Sequence, residues 1–273
     1  MATDYVFPAL GIGQHGEETW ILGRKARAHI SVRGLVAMKK LVVAITLVAV
    51  LLVGASALYA GSSIYGVSGL IETPDGSIAA QSSLALDASY ISDVGGSDSL
   101  TTYGGAFGLM PKLEIGGVAI DSDAAGVKTR GLLNAKYQIM GESLEKPSIT
   151  VGVVDVADQL DKINGRIGDP SAFIVFGKNI STTAEGISGN VSKPIRGTLG
   201  FGTGLYKGGF AGLSMAATSK LDFMLEYLSN GIRQDSTVNA AAKLKLARGL
   251  AIQAGTLDFN GLYAGASYSL STY

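Results

Sequence analysis

Apolar and polar residues alternate with a period of two over most of the chain beyond residue 80. The clearest example is LDFMLEYL, residues 221–228, in which every odd-numbered residue is apolar and the even-numbered ones include Asp222 and Glu226. Successive side chains of a β-strand point to opposite faces, so this segment predicts a strand with one apolar and one charged face.

A second strand of the same kind follows the turn-like sequence SNGIRQDST. The segment AAAKLKL, residues 240–246, places Lys243 and Lys245 on its polar face. Together the two segments predict a β-hairpin, in which opposite charges would meet if Glu226 lies near Lys243 and Asp222 near Lys245.

The alternation recurs in about twelve segments between residues 80 and 273, many of them close to the nine to eleven residues with which a tilted strand crosses a bilayer. An even number of strands is typical of bacterial single-chain barrels. We therefore predict an all-β protein, a single antiparallel transmembrane β-barrel of about 12 strands at residues 80–273. A soluble sheet with one buried face produces the same alternation and is the alternative fold.

The barrel region is preceded by a pattern typical of export. Met38-Lys39-Lys40 is a positive start, the run from Leu41 to Val53 is apolar, and Ala55-Ser56-Ala57 is a small-residue cleavage site, so residues 38–57 predict a cleaved signal peptide. Residues 1–37 are then interpreted as a start-site misassignment or a leader extension. The alternative is a genuine cytoplasmic extension ahead of an uncleaved anchor, for which the apolar run is short.

An N-terminal segment, residues 58–79, lies between the signal and the barrel. It is rich in Gly and Ser and is broken by Pro74 and the turn signal Asp75-Gly76. It is too short to form a domain. We interpret it as a plug inside the barrel or as a segment along its rim.

Composition narrows the function classes. The 38 glycines, six prolines and 16% charged residues suit short strands and tight turns, and the formal net charge of zero gives no support for nucleic-acid binding. Cys is absent, and His15, His29 and Trp20 all precede the signal peptide. Nucleophilic serine chemistry usually needs a His base, and zinc sites usually need His or Cys, so we expect a non-enzymatic protein without metal or cofactor.

The polar strand faces supply candidates for the lumen of the barrel. The lumen-facing charged candidates are Asp87, Glu114, Lys136, Asp222, Glu226, Lys243 and Lys245. Such residues either contact a solute or pair across strands as a polar core. The tyrosines near predicted strand ends are candidates for an aromatic girdle at the membrane interfaces, and these are Tyr90, Tyr137, Tyr206, Tyr227 and Tyr268.

Several short blocks resemble the YjbH-like family of outer-membrane barrels associated with exopolysaccharide production. The first is the N-terminal motif Gly69, Leu70, Ile71, Glu72, Thr73 and Pro74. The others lie at residues 109–116, 147–155, 226–227 with 230–231, and 261–263. The resemblance implies an outer-membrane protein of a diderm bacterium, linked to polysaccharide secretion, and it supplies no catalytic residues. The chain departs from the family in its short mature length and in a last strand that ends near Leu270, which weakens the expected signal for the barrel-assembly machinery.

The leading hypothesis is a bacterial outer-membrane β-barrel that acts as a porin-like channel or as an accessory scaffold in exopolysaccharide secretion. Its expected partners are outer-membrane lipid, the barrel-assembly machinery, and polysaccharide or its secretion proteins. The alternative is a secreted or periplasmic β-protein that binds carbohydrate or cell-surface components. A third hypothesis is a glycan hydrolase that uses carboxylates alone, although no spacing selects a pair.

Overall fold

The computed structural model describes residues 61–94, 98–124, 126–160, 170–181, 194–232, 235–247 and 249–270. The signal peptide predicted at residues 38–57 and the stretch before it lie outside the described residues.

Twelve antiparallel strands form a closed barrel, in which each strand pairs with its neighbours in sequence and β1 pairs with β12. This confirms the prediction of an all-β barrel of about twelve strands. The strands are β1 Leu84–Val94, β2 Asp98–Met110, β3 Leu113–Ser122, β4 Arg130–Met140, β5 Ser148–Val154, β6 Ser171–Asn179, β7 Ile195–Gly202, β8 Phe210–Ala216, β9 Leu221–Leu228, β10 Thr237–Ala247, β11 Leu250–Leu257 and β12 Gly261–Leu270.

The outside of the barrel is apolar. Side chains that alternate with the interior ones stay exposed, including Leu133 at 63%, Leu262 at 58% and Leu199 at 51%. Others are Tyr90, Tyr137, Ile139, Phe201, Leu213, Phe223, Leu225, Tyr227, Leu244 and Ile252. A soluble protein rarely exposes so large an apolar surface, whereas a barrel in lipid requires it. The exterior is therefore that of a transmembrane barrel, and the soluble alternative, which needs these residues buried, is not supported.

No helix within the described part of the chain is long and apolar enough to cross a membrane.

The two ends of the barrel interior differ. We call the end where β1 begins and β12 finishes the terminal end, and the opposite end the far end. The far end is filled by apolar side chains of strands and connections, among them Ile91, Leu100, Ile120, Leu132, Val154, Leu160, Leu205, Leu228, Ile232 and Leu257. This cluster closes the far end with an apolar core.

Tyr206 belongs to that core, so its assignment to the aromatic girdle is wrong. Strand β7 ends at Gly202, before Tyr206, and a short 3-10 helix at Gly204–Tyr206 follows it. This turn directs Tyr206 inward, where its ring centroid lies 5.3 Å from that of Phe173 and 5.2 Å from that of Phe210. Tyr90, Tyr137 and Tyr227 do lie on the outside.

The apolar exterior predicts a large cost for a charge at mid-height. Leu199 lies near the middle of β7, and its replacement in Leu199→Lys should lower the free energy of unfolding by about 2–4 kcal/mol in a bilayer. The matched control is Leu144→Lys, at a residue that is 57% exposed and lies between β4 and β5. There the cost should be about 0–1 kcal/mol. Urea unfolding in phospholipid vesicles measures both, and equal small losses would contradict a membrane-spanning exterior.

Candidate functional site

The segment before β1 runs inside the barrel. Every residue from Ser62 to Gly76 is buried. The segment folds on itself through short turns, with backbone hydrogen bonds from the Ile64 nitrogen to the Ile71 oxygen and from the Leu70 nitrogen to the Thr73 oxygen, both 2.9 Å. We call residues 61–79 the plug, since they occupy the lumen that the strands enclose.

Glycines of the wall allow the plug backbone to approach closely. A Cβ at Gly116 of β3 would lie 1.9 Å from the carbonyl oxygen of Gly66 in the plug. Gly66 itself has a φ of +75°, a conformation that residues other than glycine rarely adopt. A Cβ there would lie 2.7 Å from the Gly117 oxygen. Any larger residue at these positions would displace the plug from the wall.

The carboxylate of Glu226, on β9, holds the turn of the plug. It accepts hydrogen bonds from the backbone nitrogens of Ile71 at 3.2 Å, Glu72 at 2.8 Å and Thr73 at 3.1 Å, and from the Thr73 hydroxyl at 2.8 Å. Successive N–H groups that point to one side form an anion-binding concavity. Glu226, which is 1% exposed, fills that concavity and satisfies donors that would otherwise be buried without partners.

A second anchor joins Ser68 of the plug to neighbouring residues of β3 and β4. Glu114 accepts from the Ser68 nitrogen, the Ser68 hydroxyl and the Ala79 nitrogen, each at 2.7 Å. Lys136 lies opposite Glu114 in the sheet and donates to the Ser68 carbonyl at 2.7 Å. Its ammonium is also 3.4 Å from a carboxylate oxygen of Asp75, so plug and wall share an ion pair.

The plug carries two buried acids in different environments. Burial and the neighbouring charge of Glu226 raise the pKa of Glu72 from 4.5 to about 7, although the Tyr65 hydroxyl and the Ile232 nitrogen donate to its carboxylate. Asn239 donates to both Glu72 and Glu226, at 3.0 and 2.9 Å. Burial also acts to raise the pKa of Asp75, but the charges of Lys136 and Arg196 outweigh it and lower that pKa.

Most of the lumen-facing candidates lie against the plug or deep in the interior. Asp87, Glu114, Lys136, Glu226 and Lys243 are buried. Asp222 and Lys245 are partly exposed and pair with each other at 2.7 Å.

The expected proximity of Glu226 and Lys243 is wrong. In the hairpin, Asn239 lies opposite Glu226 and Lys243 lies opposite Asp222. The cause is that β10 begins at Thr237, ahead of the AAAKLKL segment, which shifts the pairing toward the turn. Glu226 is thereby left without a cation opposite it and accepts donors from the plug instead.

The N-terminal motif lies in the plug, where its residues form the turn held by Glu226. A Cβ at Gly69 would lie 2.2 Å from the Thr73 oxygen, so the turn requires glycine there. Sequence reasoning did not single out Ser68, Tyr65, Asn134 or Asn239 as contact residues. Asn134 donates to the Tyr65 carbonyl, and its position on the polar face of β4 was the available signal.

The described residues contain no group of three or more His, Asp or Glu side chains placed to hold a metal ion.

Comparisons with known proteins give fold-level similarity alone. No protein-family model matches the chain, and no curated protein is similar to it in sequence. Among solved structures, a KdgM porin aligns with a TM-score of 0.43 and 11% identity, and a NanC porin with 0.42 and 8%, each over 69% of this chain and 99% of the other. A COG4313 outer membrane channel from Pseudomonas putida F1 aligns with a TM-score of 0.37 and 12% identity, over 74% of this chain and 100% of that one.

The Glu226 anchor predicts that Glu226→Ala loosens the plug without opening the sheet. The chain has no Cys, so Val67→Cys provides a single reporter thiol at a fully buried plug position. Loss of a carboxylate that satisfies several buried donors should raise the rate of maleimide labelling about 10- to 100-fold. Asp222→Ala is the control, because Asp222 faces the interior and pairs with Lys245 of the wall. Equal labelling rates in both variants would contradict the anchor.

The raised pKa of Glu72 predicts a pH-dependent stability. The folded state keeps a proton that the unfolded state releases between about pH 4.5 and 7, so this contribution is complete below about pH 4.5 and is lost as the pH rises through about 7. The melting temperature in detergent should therefore rise when the pH falls from about 8.5 to about 5.5. Glu72→Gln should flatten the profile, and an unchanged profile in that variant would assign the effect to other groups.

Proposed function

We propose that the protein is an outer-membrane channel that rests in a closed state, with the plug as its gate, and that it serves the passage of polysaccharide across the envelope. The outer-membrane placement is supported by the closed barrel, its apolar exterior and the export signal predicted at residues 38–57. Barrels are the form in which strands can cross lipid with every backbone group paired.

The polar nature of the plug's attachment carries the proposal. The wall meets the plug with Glu114, Lys136, Glu226, Asn134 and Asn239. Buried charges are costly, and a wall that only had to fill a small barrel would be more stable with apolar side chains. If the plug leaves, these same groups are solvated by water and line a polar lumen of the kind that channels have. Wall residues that are satisfied both with the plug in the lumen and with water in its place favour a plug that acts as a gate over a plug that fills the barrel permanently.

The link to polysaccharide rests on the YjbH-like resemblance, whose N-terminal motif forms the turn at Glu226. The partners expected from this resemblance are the barrel-assembly machinery and polysaccharide-secretion proteins. An enzyme is disfavoured, because Glu226 and Glu114 each accept several hydrogen bonds from the plug and have little capacity for substrate.

A second candidate, an accessory scaffold that never conducts, is favoured by one observation. The far end is filled by an apolar core that includes Leu160, Leu205 and Ile232 from the connections between strands. Passage through that end would require these connections to move together with the plug.

Planar-bilayer recordings separate the two candidates. The intact mature chain should be silent, and a variant in which residues 61–79 are replaced by a Gly/Ser linker of equal length should give steady conductance steps. A linker variant that inserts and folds but does not conduct would contradict the channel proposal and favour the accessory scaffold. Steady steps from the intact chain would show instead that the plug does not close it.

A further inference from the structure

An interior cavity of about 270 Å³ remains at the terminal end of the barrel, between the plug and the wall. The plug contributes Gly61, Leu70 and Asp75 to its lining, and the wall contributes Arg196, Asp222, Met224, Lys243, Lys245 and Gln253. At about 30 Å³ per water molecule, the volume corresponds to about nine waters. A single sugar unit fits that volume, and a polymer does not.

Three ion pairs lie at this cavity. Arg196 pairs with Glu142 at 2.5 Å, Lys245 with Asp222 at 2.7 Å, and Asp75 with Lys136 at 3.4 Å. Lys243 is only 8% exposed, and its ammonium has no hydrogen bond and no direct ion pair with any described residue. The carboxylates of Asp222, Asp87 and Asp75 interact with it electrostatically from a greater distance.

The Lys243 ammonium packs against the first residue of the plug. A Cβ at Gly61 would lie 2.4 Å from the Lys243 nitrogen, so a larger residue there would push the end of the lysine side chain aside. The nearby carboxylate of Asp87 accepts a hydrogen bond from the Ser62 hydroxyl and interacts electrostatically with Lys243 without a direct ion pair. An ammonium that is buried without a hydrogen bond of its own is unfavourable, and an anionic ligand in the cavity would accept one.

We propose that this cavity binds one sugar unit that carries an anionic group, a carboxylate or a phosphate, with Lys243 as its counter-ion. Gln253 offers an amide to hydroxyl groups, and Met224 and Leu70 offer apolar surface, which suits the mixed faces of a sugar ring. Because the lining comes from both plug and wall, the bound ligand stabilises the closed barrel by mass action. The physiological meaning rests on the proposed function, but binding is measured in the closed barrel without any conductance.

The test is calorimetric titration of the full-length mature chain, folded in detergent, with glucuronate, glucose 6-phosphate and glucose as probes. One of the two acids should bind saturably and raise the melting temperature, and glucose should bind at least tenfold more weakly. Whichever acid binds identifies the anionic group.

Lys243→Met should weaken binding of that acid at least tenfold and keep the barrel folded, with a melting temperature close to that of the parent, because the buried ammonium makes no direct hydrogen bond or ion pair that would be lost. Lys207→Met, at an exposed residue beyond the far end of β7, is the matched control and should bind as the parent does. No saturable binding of either acid, glucose binding as tight as the acid, or undiminished binding in Lys243→Met would overturn the proposal. The titration tests sugar binding, and the bilayer recordings test the proposed gate. A negative result in either experiment therefore does not contradict the other proposal.

Discussion

The carboxylate of Glu226 and the three consecutive backbone N–H groups that converge on it determine how the interior is organised. A folded segment inside a barrel brings its own backbone donors and acceptors out of water, and each one left unpaired is costly. Glu226 satisfies the turn of the plug, and Glu114 with Lys136 satisfies the region around Ser68. The plug can therefore occupy the lumen because wall side chains supply what water would otherwise supply.

The same contacts explain an unfavourable feature of the interior, the close approach of Glu72 and Glu226. Asn239 donates to both carboxylates, and burial together with the charge of Glu226 raises the pKa of Glu72. No cation among the described residues pairs with either acid, and a filling optimised for stability alone would not keep the two together. Two buried acids kept side by side favour a plug that leaves the lumen. A change in the protonation of Glu72 would shift the equilibrium between the bound and the released plug.

The two-residue period of a strand determines together which residues face the outside of the barrel and which face the interior. Phe223 and Leu225 face lipid because Glu226 and Met224 face inward, and a shift of one residue would exchange the two sets. The apolar exterior thus fixes the register in which Glu226 meets the plug. Membrane placement and plug binding are consequences of one alternating pattern.

That pattern is also why much of the fold was predictable from the sequence. Alternation located all twelve strands and the inward parity of Glu114, Lys136 and Glu226, since period two is a local property. Three features were not accessible in this way. The register of β9 and β10 depends on where the turn between them ends. Tyr206 lies in a 3-10 helix and not in a strand. The position of residues 61–79 in the lumen and not along the rim depends on contacts such as that of Ser68 with Glu114, 46 residues apart. These are properties of the closed barrel and have no local signature.

Amide hydrogen exchange in the folded barrel tests the central claim, that wall carboxylates hold the plug in the lumen. The account predicts that the amides of Ile71, Glu72 and Thr73 exchange as slowly as those in the middle of β9. Exchange of these amides at the rate of an unstructured peptide, while the strand amides stay protected, would contradict it.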